Sequence, residues 1–439
     1  MASNDQSIVI FWFRRDLRLE DNHGLYEALA NNSNVLPIFI FDKNILDKLE
    51  DKADRRVNFI YNTIVGLHQK LEKAKSTLEI FNTTPIEAFK KLISKYNVSV
   101  VYTNHDYEPD AIRRDEVVKK YLSQQKIEFF TFKDQVTFEK DEVIKGDGTP
   151  YTIFTPYSKK WKEKLNTEII KLFPSESNLK HLYKCSPSEI PSLESIGFTK
   201  TEYNIESTKI VEDIIINYHD NRNIPAIKGT TGLSVHLRFG TVSVRHLVRV
   251  AQKLNDQWLN ELIWREFFMM ILFHFPHVVK QSFKSKYDFI VWRNNEQEFE
   301  KWTKGETGFP IVDAGMRELN ETGFMHNRVR MIVASFLTKD LLIDWRWGEA
   351  YFAQKLMDYE LSANNGNWQW AAGSGCDAAP YFRIFNPYEQ TKKFDPELKY
   401  IKTWIKEYDN YLIPPIVNHD DARKRCLVVY KKGLENATS

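Results

Sequence analysis

Short apolar runs alternate with amphipathic stretches in the first third of the chain. Two of these runs, 7–13 and 35–41, are continuous, as is typical of strands buried on both faces. A long amphipathic helix is predicted over about 54–74. The same pattern predicts three further strands and two further helices, the strands at 78–81, 98–103 and 127–132 and the helices at 85–96 and 108–123. Five strands that alternate with helices predict a parallel sheet covered by helices on both faces.

The pattern changes twice beyond this region. From residue 134 to about 204 the periodicity weakens and turn residues are frequent, which predicts a long connection. Beyond about residue 205 the apolar positions recur at helical spacing, so an almost wholly helical second domain is expected. We therefore predict a Rossmann-like α/β domain at 1–135, an interdomain connector at 136–205 and an all-α domain at 206–439.

Composition narrows the class of protein. A length of 439 residues suffices for two domains, and 42% hydrophobic with 27% charged residues is ordinary for a soluble protein. The net charge of +2 excludes a uniformly basic surface but permits a local basic groove. We expect neither a signal peptide nor a membrane span, because no long apolar run is present. Three scattered cysteines indicate a reducing, cytoplasmic compartment and no metal site.

Charged and amide side chains are unusually frequent in the otherwise apolar segment 320–387. Burying so many of them is costly unless each finds a partner, so a core built only for packing would not contain them. The segment therefore predicts a pocket for a polar, planar, partly charged ligand within the helical domain. The residues concerned are Asn327, Arg328, Arg330, Asp358, Glu360, Asn364, Asn365 and Arg383.

Two other segments combine polar groups with helical positions. The hydroxyl cluster 229–234 is flanked by glycines, and its N–H groups could bind a phosphate; an ordinary capped helix start is the alternative. In the segment 258–268, Glu261 stands between indoles at helical spacing from Arg265. Such a carboxylate either has a raised pKa, if it is unpaired, or forms a surface pair with the arginine.

No dinucleotide fingerprint follows the first predicted strand. The residues there are Arg14-Arg15-Asp16-Leu17-Arg18 rather than G-x-G-x-x-G, so NAD binding in the usual way is not expected. The segment 107–110 follows a later strand end, where parallel sheets bind ligands. An ordinary helix start, with Pro109 in the first turn, is the alternative.

Several long motifs in this chain together resemble the photolyase/cryptochrome family. They are FWFRRDLRLEDNHGL, HNRVRM, ASFLTKDLLIDWRWGE and DYELSANNGNWQWAAGSGCDAAPYFRIFNP, and the likeness extends to about Trp404. Class I enzymes that repair cyclobutane pyrimidine dimers are the most similar group. The resemblance implies FAD in the helical domain, and the α/β domain of this family can house a folate or deazaflavin as second chromophore. It also implies light-dependent repair of UV-damaged DNA by a monomeric enzyme.

The resemblance assigns cofactor contacts to this chain. Asn364 would contact the flavin N5, and an amide there can bond N5 without supplying a ready proton, which favours repair over plant-type signalling. Glu360 is a departure, because repair enzymes usually carry an aspartate at that position. The cofactor-binding residues that we expect are Tyr218, Thr230, Thr231, Gly232, Leu233, Ser234, Trp258, Asn327, Arg330, Asp358, Glu360 and Asn364.

Substrate and electron-transfer residues follow from the same resemblance. Glu261 would bond or protonate the pyrimidine, while Trp264 and Trp370 would form stacking walls and Met331 would border the dimer. The tryptophans that would connect the flavin with the surface are Trp368, Trp345 and Trp292. The residues that would contact DNA are Arg222, Arg265, Arg328, Trp370, Arg383, Gln390 and Lys393.

Two other activities of the same family stay open. A cryptochrome signals without repair and normally needs a regulatory tail, and we expect the segment after Trp404 to be too short for one. A (6-4) photoproduct enzyme places a histidine where it can act as an acid. His326 lies in the matching neighbourhood, whereas Asn327, Met331 and Asn364 follow the dimer-repair pattern.

Overall fold

The computed structural model describes residues 7–437. The first six residues, which belong to the sequence tested for a signal peptide, and Thr438 and Ser439 of the C-terminal tail lie outside the described residues. The described residues form two compact units. The first comprises the described chain up to Glu139 together with Leu165–Thr208 and Leu233–Val250, and the second comprises Lys140–Lys164, Lys209–Gly232 and the described chain from Ala251 onward. The units interleave along the chain, whereas the three predicted segments are consecutive. Those three segments stay a prediction.

A five-stranded parallel sheet forms the framework of the first unit, as the sequence predicted. The strands are β1 Ile8–Phe13, β2 Val35–Asp42, β3 Glu79–Thr83, β4 Val98–Asn104 and β5 Glu128–Phe132. Their order is β3-β2-β1-β4-β5, and every neighbouring pair is parallel. All six residues of the central strand β1 are buried, which is why that strand is continuously apolar.

Helices connect these strands, and side chains cap most of them. They are α1 His23–Asn31, α2 Lys43–Leu46, α3 Arg55–Lys73, α4 Pro85–Lys95 and α5 Pro109–Gln124. Helix α3 begins after Asp54, whose carboxylate accepts the N–H groups of Arg56 and Val57. Helix α1, which the sequence analysis missed, begins after Asn22, whose side chain accepts the N–H of Leu25.

Helices account for the regular structure of the rest of the described chain. They are α6 Phe154–Thr167, α7 Glu212–Ile216, α8 Tyr218–Asn221, α9 Ser234–Phe239, α10 Val244–Leu254, α11 Asp256–His274, α12 Glu296–Lys304, α13 Pro310–Thr322, α14 Asn327–Ser335, α15 Trp345–Lys355, α16 Leu361–Ala372, α17 Pro387–Phe394, α18 Lys399–Trp404 and α19 His419–Asn436. Between β5 and residue 437, β pairing is limited to isolated bridges. The predicted helical second half is thus confirmed.

Helix α6 corrects the prediction of a long loop from residue 134 to about 204. Tyr157 of α6 packs on Phe267 of α11 with ring centroids 5.2 Å apart. The indole N–H of Trp161 donates to Glu266 of α11 at 2.7 Å. The weak local periodicity concealed this helix, because contacts with a segment 105 residues away stabilise it.

The helices that carry the polar segment approach one another closely. A Cβ on Gly348 of α15 would lie 2.1 Å from the Trp368 ring of α16, and one on Gly366 of α16 would lie 2.2 Å from Phe268 of α11. Only glycine allows these approaches. After α14 the chain forms one π-helical turn, Phe336–Asp340, a feature that often accompanies functional sites.

Two features absent from residues 7–437 bear on function. None of the described helices combines the length and apolar character needed to cross a membrane. No cluster of three or more His, Cys, Asp or Glu side chains suited to a metal ion occurs in that range.

Candidate functional site

A pocket in the helical unit lies among α14, α15 and α16. It holds about 590 Å³ of space, counting the open solvent at its mouth. Its lining comprises Asn327, Arg330, Met331, Ala334, Phe352, Leu356, Asp358, Tyr359, Glu360, Ala363, Asn364, Asn367, Trp368, Trp370 and Ala371. Five of the eight polar residues predicted to surround a ligand line this pocket, whereas the other three do not: those in the lining are Asn327, Arg330, Asp358, Glu360 and Asn364, and those outside it are Arg328, Asn365 and Arg383.

An ion pair forms one part of the pocket lining. The two terminal nitrogens of Arg330 donate to the two carboxylate oxygens of Asp358 at 3.2 and 2.9 Å. Its Nε donates to the carbonyl of Met325 at 2.7 Å, so the guanidinium is held in one orientation. The structure thus forms the pair that the resemblance implied, and its contact with a flavin stays a prediction.

Asn364 is held by a carboxylate that the sequence analysis missed. Its Nδ2 donates to Glu349 of α15, at 2.8 Å to Oε1 and 3.1 Å to the backbone carbonyl. Burial raises the pKa of Glu349, although the bond from Asn364 opposes this. The motif DWRWGE contains Glu349, but only the packing of α15 against α16 indicates its partner.

Glu360 forms a bidentate ion pair with Arg265 of α11. Both carboxylate–guanidinium distances are 3.1 Å, and both side chains are largely buried. The sequence analysis assigned Arg265 to DNA phosphates. The ion pair with Glu360 holds the guanidinium through two nitrogens, and its contact with DNA stays a prediction.

Glu261 pairs with Arg222 rather than with its helical neighbour Arg265. Arg222 Nη1 and Gln257 Nε2 donate to Glu261 Oε1 at 2.7 and 3.1 Å. Burial nevertheless raises the pKa of Glu261, and the carboxylate in turn contributes, after burial, to a raised pKa of Tyr218. The structure thus brings together Tyr218, Arg222 and Glu261, which the sequence analysis had assigned to three different ligand groups.

Trp264 stacks on an aromatic ring that sequence reasoning did not single out. The rings of Trp264 and Phe154 are parallel within 4°, with centroids 3.6 Å apart. Phe154 begins α6, and its backbone N–H donates to Asp377 at 3.0 Å. One face of the predicted stacking wall is therefore already covered by a side chain.

The charges of two predicted DNA-contacting arginines affect the pKa of a third, Arg328. Burial, followed by the charges of Arg222 and Arg383, lowers the pKa of Arg328. The Arg328 guanidinium donates to Asn223 at 2.5 Å and to the Met331 sulfur at 3.4 Å. It also lies 4.4 Å from the centre of the Phe394 ring. Because Met331 lines the pocket, Arg328 connects this arginine cluster (Arg222, Arg328 and Arg383) to the pocket.

The remaining predicted DNA contacts differ in position. Trp370 lines the pocket, Lys393 is exposed with its ammonium 5.3 Å from the Phe394 ring, and Gln390 is half-buried on α17. These positions leave their contacts with DNA as predictions.

The three tryptophans of the predicted relay belong to one apolar cluster. Trp345 and Trp368 are buried in it, and Trp292 packs against it. Within the described chain the indole nitrogen of Trp345 has no hydrogen-bond partner. Trp292 contacts Tyr430 edge to face, with centroids 5.8 Å apart. Electron transfer through these rings stays a prediction.

The hydroxyl cluster leads into a short helix. Thr230 and Thr231 are half-buried, Gly232 has a positive φ of 67° that favours glycine, and Ser234 begins α9 after the buried Leu233. Trp258, also predicted to contact the cofactor, is buried in α11. The phosphate contacts of this cluster stay a prediction.

The pocket residues suit a flavin. Amide groups of Asn327 and Asn364 can bond the edge of a planar heterocycle, and Arg330 can offset negative charge on it. The apolar part of the lining, which includes Phe352, Leu356 and Trp368, can pack against the ring.

Comparisons with known proteins agree with this arrangement. A family model described as DNA photolyase matches residues 9–176, and one for the FAD binding domain of DNA photolyase matches residues 258–414. A deoxyribodipyrimidine photo-lyase of Synechococcus sp. is 37% identical, with 97% of this chain and 96% of the relative covered.

Solved structures extend the likeness to the whole fold. A class III photolyase from Agrobacterium tumefaciens superimposes with a TM-score of 0.87 at 31% identity, with 99% of each chain covered. A cryptochrome from Synechocystis sp. superimposes with a TM-score of 0.84 at 25% identity, covering 97% of this chain and 99% of the cryptochrome.

Proposed function

Because this chain belongs to the DNA photolyase family and carries its FAD-binding domain, we propose that it repairs cyclobutane pyrimidine dimers in DNA with light. The pocket residues would hold FAD, and that cofactor would supply light-driven electron transfer to and from the dimer. The protein's part is to bind and orient both partners and to manage protons. We further propose that it acts as a cytoplasmic monomer.

One observation carries the proposal: the Arg328 guanidinium donates a hydrogen bond to the sulfur of Met331, which lines the pocket. The charges of Arg222 and Arg383 lower the pKa of Arg328, so the arginine cluster adjoins the pocket. Arginines bind DNA phosphates strongly, and phosphate contacts set the position of a protein on DNA. A dimer disrupts stacking and pairing, so flipping it out costs less than flipping intact bases. Phosphates held by this cluster would therefore direct a flipped dimer into the pocket beside Met331.

Glu261 is the proton-holding group in this proposal. Arg222 cannot pair fully with both Glu261 and a DNA phosphate at the same time. DNA binding would therefore weaken the ion pair between Arg222 and the carboxylate. Without that cation the pKa of Glu261, already raised by burial, would rise further. A protonated Glu261 could then donate a hydrogen bond to a pyrimidine carbonyl, where negative charge develops after electron transfer.

Asn364 and Glu349 support the electron donor in this proposal. The Asn364 amide has no acidic proton to give, and its Nδ2 is held by Glu349. An amide in a fixed orientation would bond the flavin without protonating it, which suits a donor that must stay reduced and anionic.

His326 argues against the (6-4) alternative. Its ring is buried, and Nδ1 accepts the backbone N–H of Arg328 at 3.2 Å, where it caps helix α14. Burial, together with the charges of Arg330 and Arg328, lowers the pKa of His326 to about 4. A histidine that is neutral at pH 7 and engaged as a cap is a poor acid for that photoproduct.

The deciding experiment illuminates the reduced holoprotein with two DNA duplexes, one containing a cyclobutane thymine dimer and the other a (6-4) photoproduct. We expect blue light to restore thymines only in the first duplex, with no repair in the dark. If flavin is bound and reduced but neither lesion is repaired, the dimer-repair proposal fails and the signalling alternative replaces it. Repair of the second duplex would instead identify a (6-4) enzyme.

A further inference from the structure

A buried carboxylate of α13 lies directly behind the start of α14. Glu318 is 7% exposed, and its Oε2 accepts the hydroxyl of Tyr400 at 2.5 Å. The same oxygen accepts the backbone N–H of His326, the capping residue of α14, at 3.3 Å. Glu318 therefore joins α13 and α18 to the first turn of the helix that carries Asn327, Arg330 and Met331.

Glu318 also acts on the charge at the pocket. The positive charge of Arg330 lowers the pKa of Glu318. Arg330 also donates a hydrogen bond to Asp358 in the pocket lining. One arginine thus lies within the influence of two carboxylates. Any further negative charge placed in the pocket would act on the same arginine and, through it, on Glu318.

Three neighbouring groups stabilise the ionised form of Glu318. The groups that act on it are the Tyr400 hydroxyl from α18, the His326 N–H and the Arg330 charge from α14, and all three favour the carboxylate. The His326 ring stays neutral at pH 7, and Asp395, at the end of α17, acts on Tyr400. Burial outweighs these groups and raises the pKa of Glu318 to about 7.

We propose that Glu318 is a positioning residue that takes up a proton when the flavin in the pocket is reduced, so that Arg330 keeps its place and charge balance. The inference rests on the proposed flavin site beside Arg330. Two electrons per flavin come from an external chemical reductant, the flavin takes one proton from solvent, and Glu318 takes a further proton from solvent. The only bond formed at Glu318 is its O–H bond.

The experiment is a redox titration of the FAD-loaded protein in the dark, without DNA, from about pH 5.5 to 9. The flavin's own proton uptake makes its midpoint potential fall as pH rises, and proton uptake at Glu318 makes the fall steeper between the pKa values of Glu318 in the oxidised and the reduced protein. We expect Glu318→Gln to remove the part of this fall centred near neutral pH. Glu321→Gln, which changes an exposed carboxylate on the same helix, should retain it.

A second variant tests the same carboxylate with the charge retained. Tyr400→Phe removes a hydrogen bond that favours the ionised form of Glu318. The transition should therefore move upward by roughly one to two pH units. Infrared difference spectra of reduced minus oxidised protein should also contain a carboxylic-acid band that is lost in Glu318→Gln.

Two results would overturn the inference. One is an identical pH dependence of the flavin potential in wild type and Glu318→Gln. The other is an unmoved transition in Tyr400→Phe, which is decisive if Glu318→Gln does not fold. Either result with FAD bound leaves dimer repair intact, whereas a protein that repairs no dimer but retains the Glu318-dependent potential would refute only the repair proposal.

Discussion

Buried carboxylates are held differently in the two compact units. In the α/β unit, Asp134 accepts hydrogen bonds from Arg18 and Arg245 at 2.8 Å. Burial alone would raise the pKa of Asp134, but the two arginines lower it. In the helical unit, Glu318 has one arginine acting on it, and burial raises its pKa to about 7.

The same contrast recurs at other positions. Burial opposes ionisation of Asp106, yet nearby arginines lower its pKa to about 2, with Arg15 contributing most. Around the helical unit's pocket, burial raises the pKa of Glu261 and of Glu349. Fully paired carboxylates keep one charge, whereas the raised pKa of an under-paired carboxylate lets it bind a proton more readily. Asp16 of the α/β unit departs from this pattern, because burial and the charge of Asp134 raise its pKa.

The largest effect should come from removing the charge of Asp134, the carboxylate that is paired with two arginines. Asp134→Asn leaves Arg18 and Arg245 buried beside a neutral partner, and removing one partner of a buried ion pair costs about 3–5 kcal/mol. Urea unfolding at pH 7 measures the loss. Glu116→Gln, which changes an exposed carboxylate on α5 of the same unit, should stay within about 0.5 kcal/mol of wild type. Equal stability of the two variants would contradict the contrast.

The pH dependence of stability should have opposite signs at the two kinds of site. The raised pKa of Glu318 makes its contribution to stability complete below about pH 4.5, and this contribution is lost as pH rises through about 7. The lowered pKa of Asp134 works in reverse, because its contribution is present at neutral pH and lost in acid. Relative to wild type, the free energy of unfolding of Glu318→Gln should therefore rise by roughly 3 kcal/mol between pH 5 and 8.

Urea unfolding of both proteins at a series of pH values tests this second prediction. Glu321→Gln is the matched control, because it removes an exposed carboxylate from the same helix. Parallel stability curves for wild type and Glu318→Gln would show that Glu318 stays ionised throughout, like Asp134.

The aromatic wall should contribute discrimination rather than stability to this site. Trp264→Ala should reduce the preference for dimer-containing over intact DNA, because stacking on a base is worth about 1–3 kcal/mol. Trp264→Phe keeps an aromatic face and should retain part of the preference. Competition binding with damaged and undamaged duplexes measures both. A preference that is unchanged in Trp264→Ala would mean that Phe154 already occupies the face the dimer was expected to use.

The smallest effect should come from the arginine cluster. Arg328→Ala should weaken binding to damaged and undamaged duplexes alike and lower the log–log salt slope by about 0.9. Lys424→Ala, which removes an exposed charge on α19, should leave the slope unchanged. If the slope of Arg328→Ala equals that of wild type, Arg328 serves the pocket through Met331 and Asn223 and makes no phosphate contact.

Elements whose pattern is local were predictable from the sequence. The strands lie within two residues of their predicted bounds, because continuous burial requires continuous apolar character in a central strand such as β1. Helix α3 was predicted equally well, since its amphipathic pattern and its cap at Asp54 are local. Helix α6 was missed because its stability depends on Phe267 and Glu266 of α11.

The sequence predicted which residues belong to the candidate site, but it did not predict which of their side chains pair with one another. The dense polar segment indicated a pocket, and Arg330 with Asp358 matched a family pattern. Spacing suggested Arg265 as the partner of Glu261, yet the structure pairs Arg265 with Glu360 and Glu261 with Arg222. Residues at helical spacing share a face, but side-chain direction and competing partners decide which of them meet.

The sequence by itself determined the family, the parallel sheet, the helical second half and the segment that lines the pocket. Only the tertiary structure decided which carboxylates are paired. Glu318 meets Tyr400 across 82 residues and Glu360 meets Arg265 across 95. A protonation state depends on burial and on partners from distant segments, and neither is encoded by neighbours along the chain. The local pattern therefore located the ligand pocket, while the fold determined which of its acids can hold a proton.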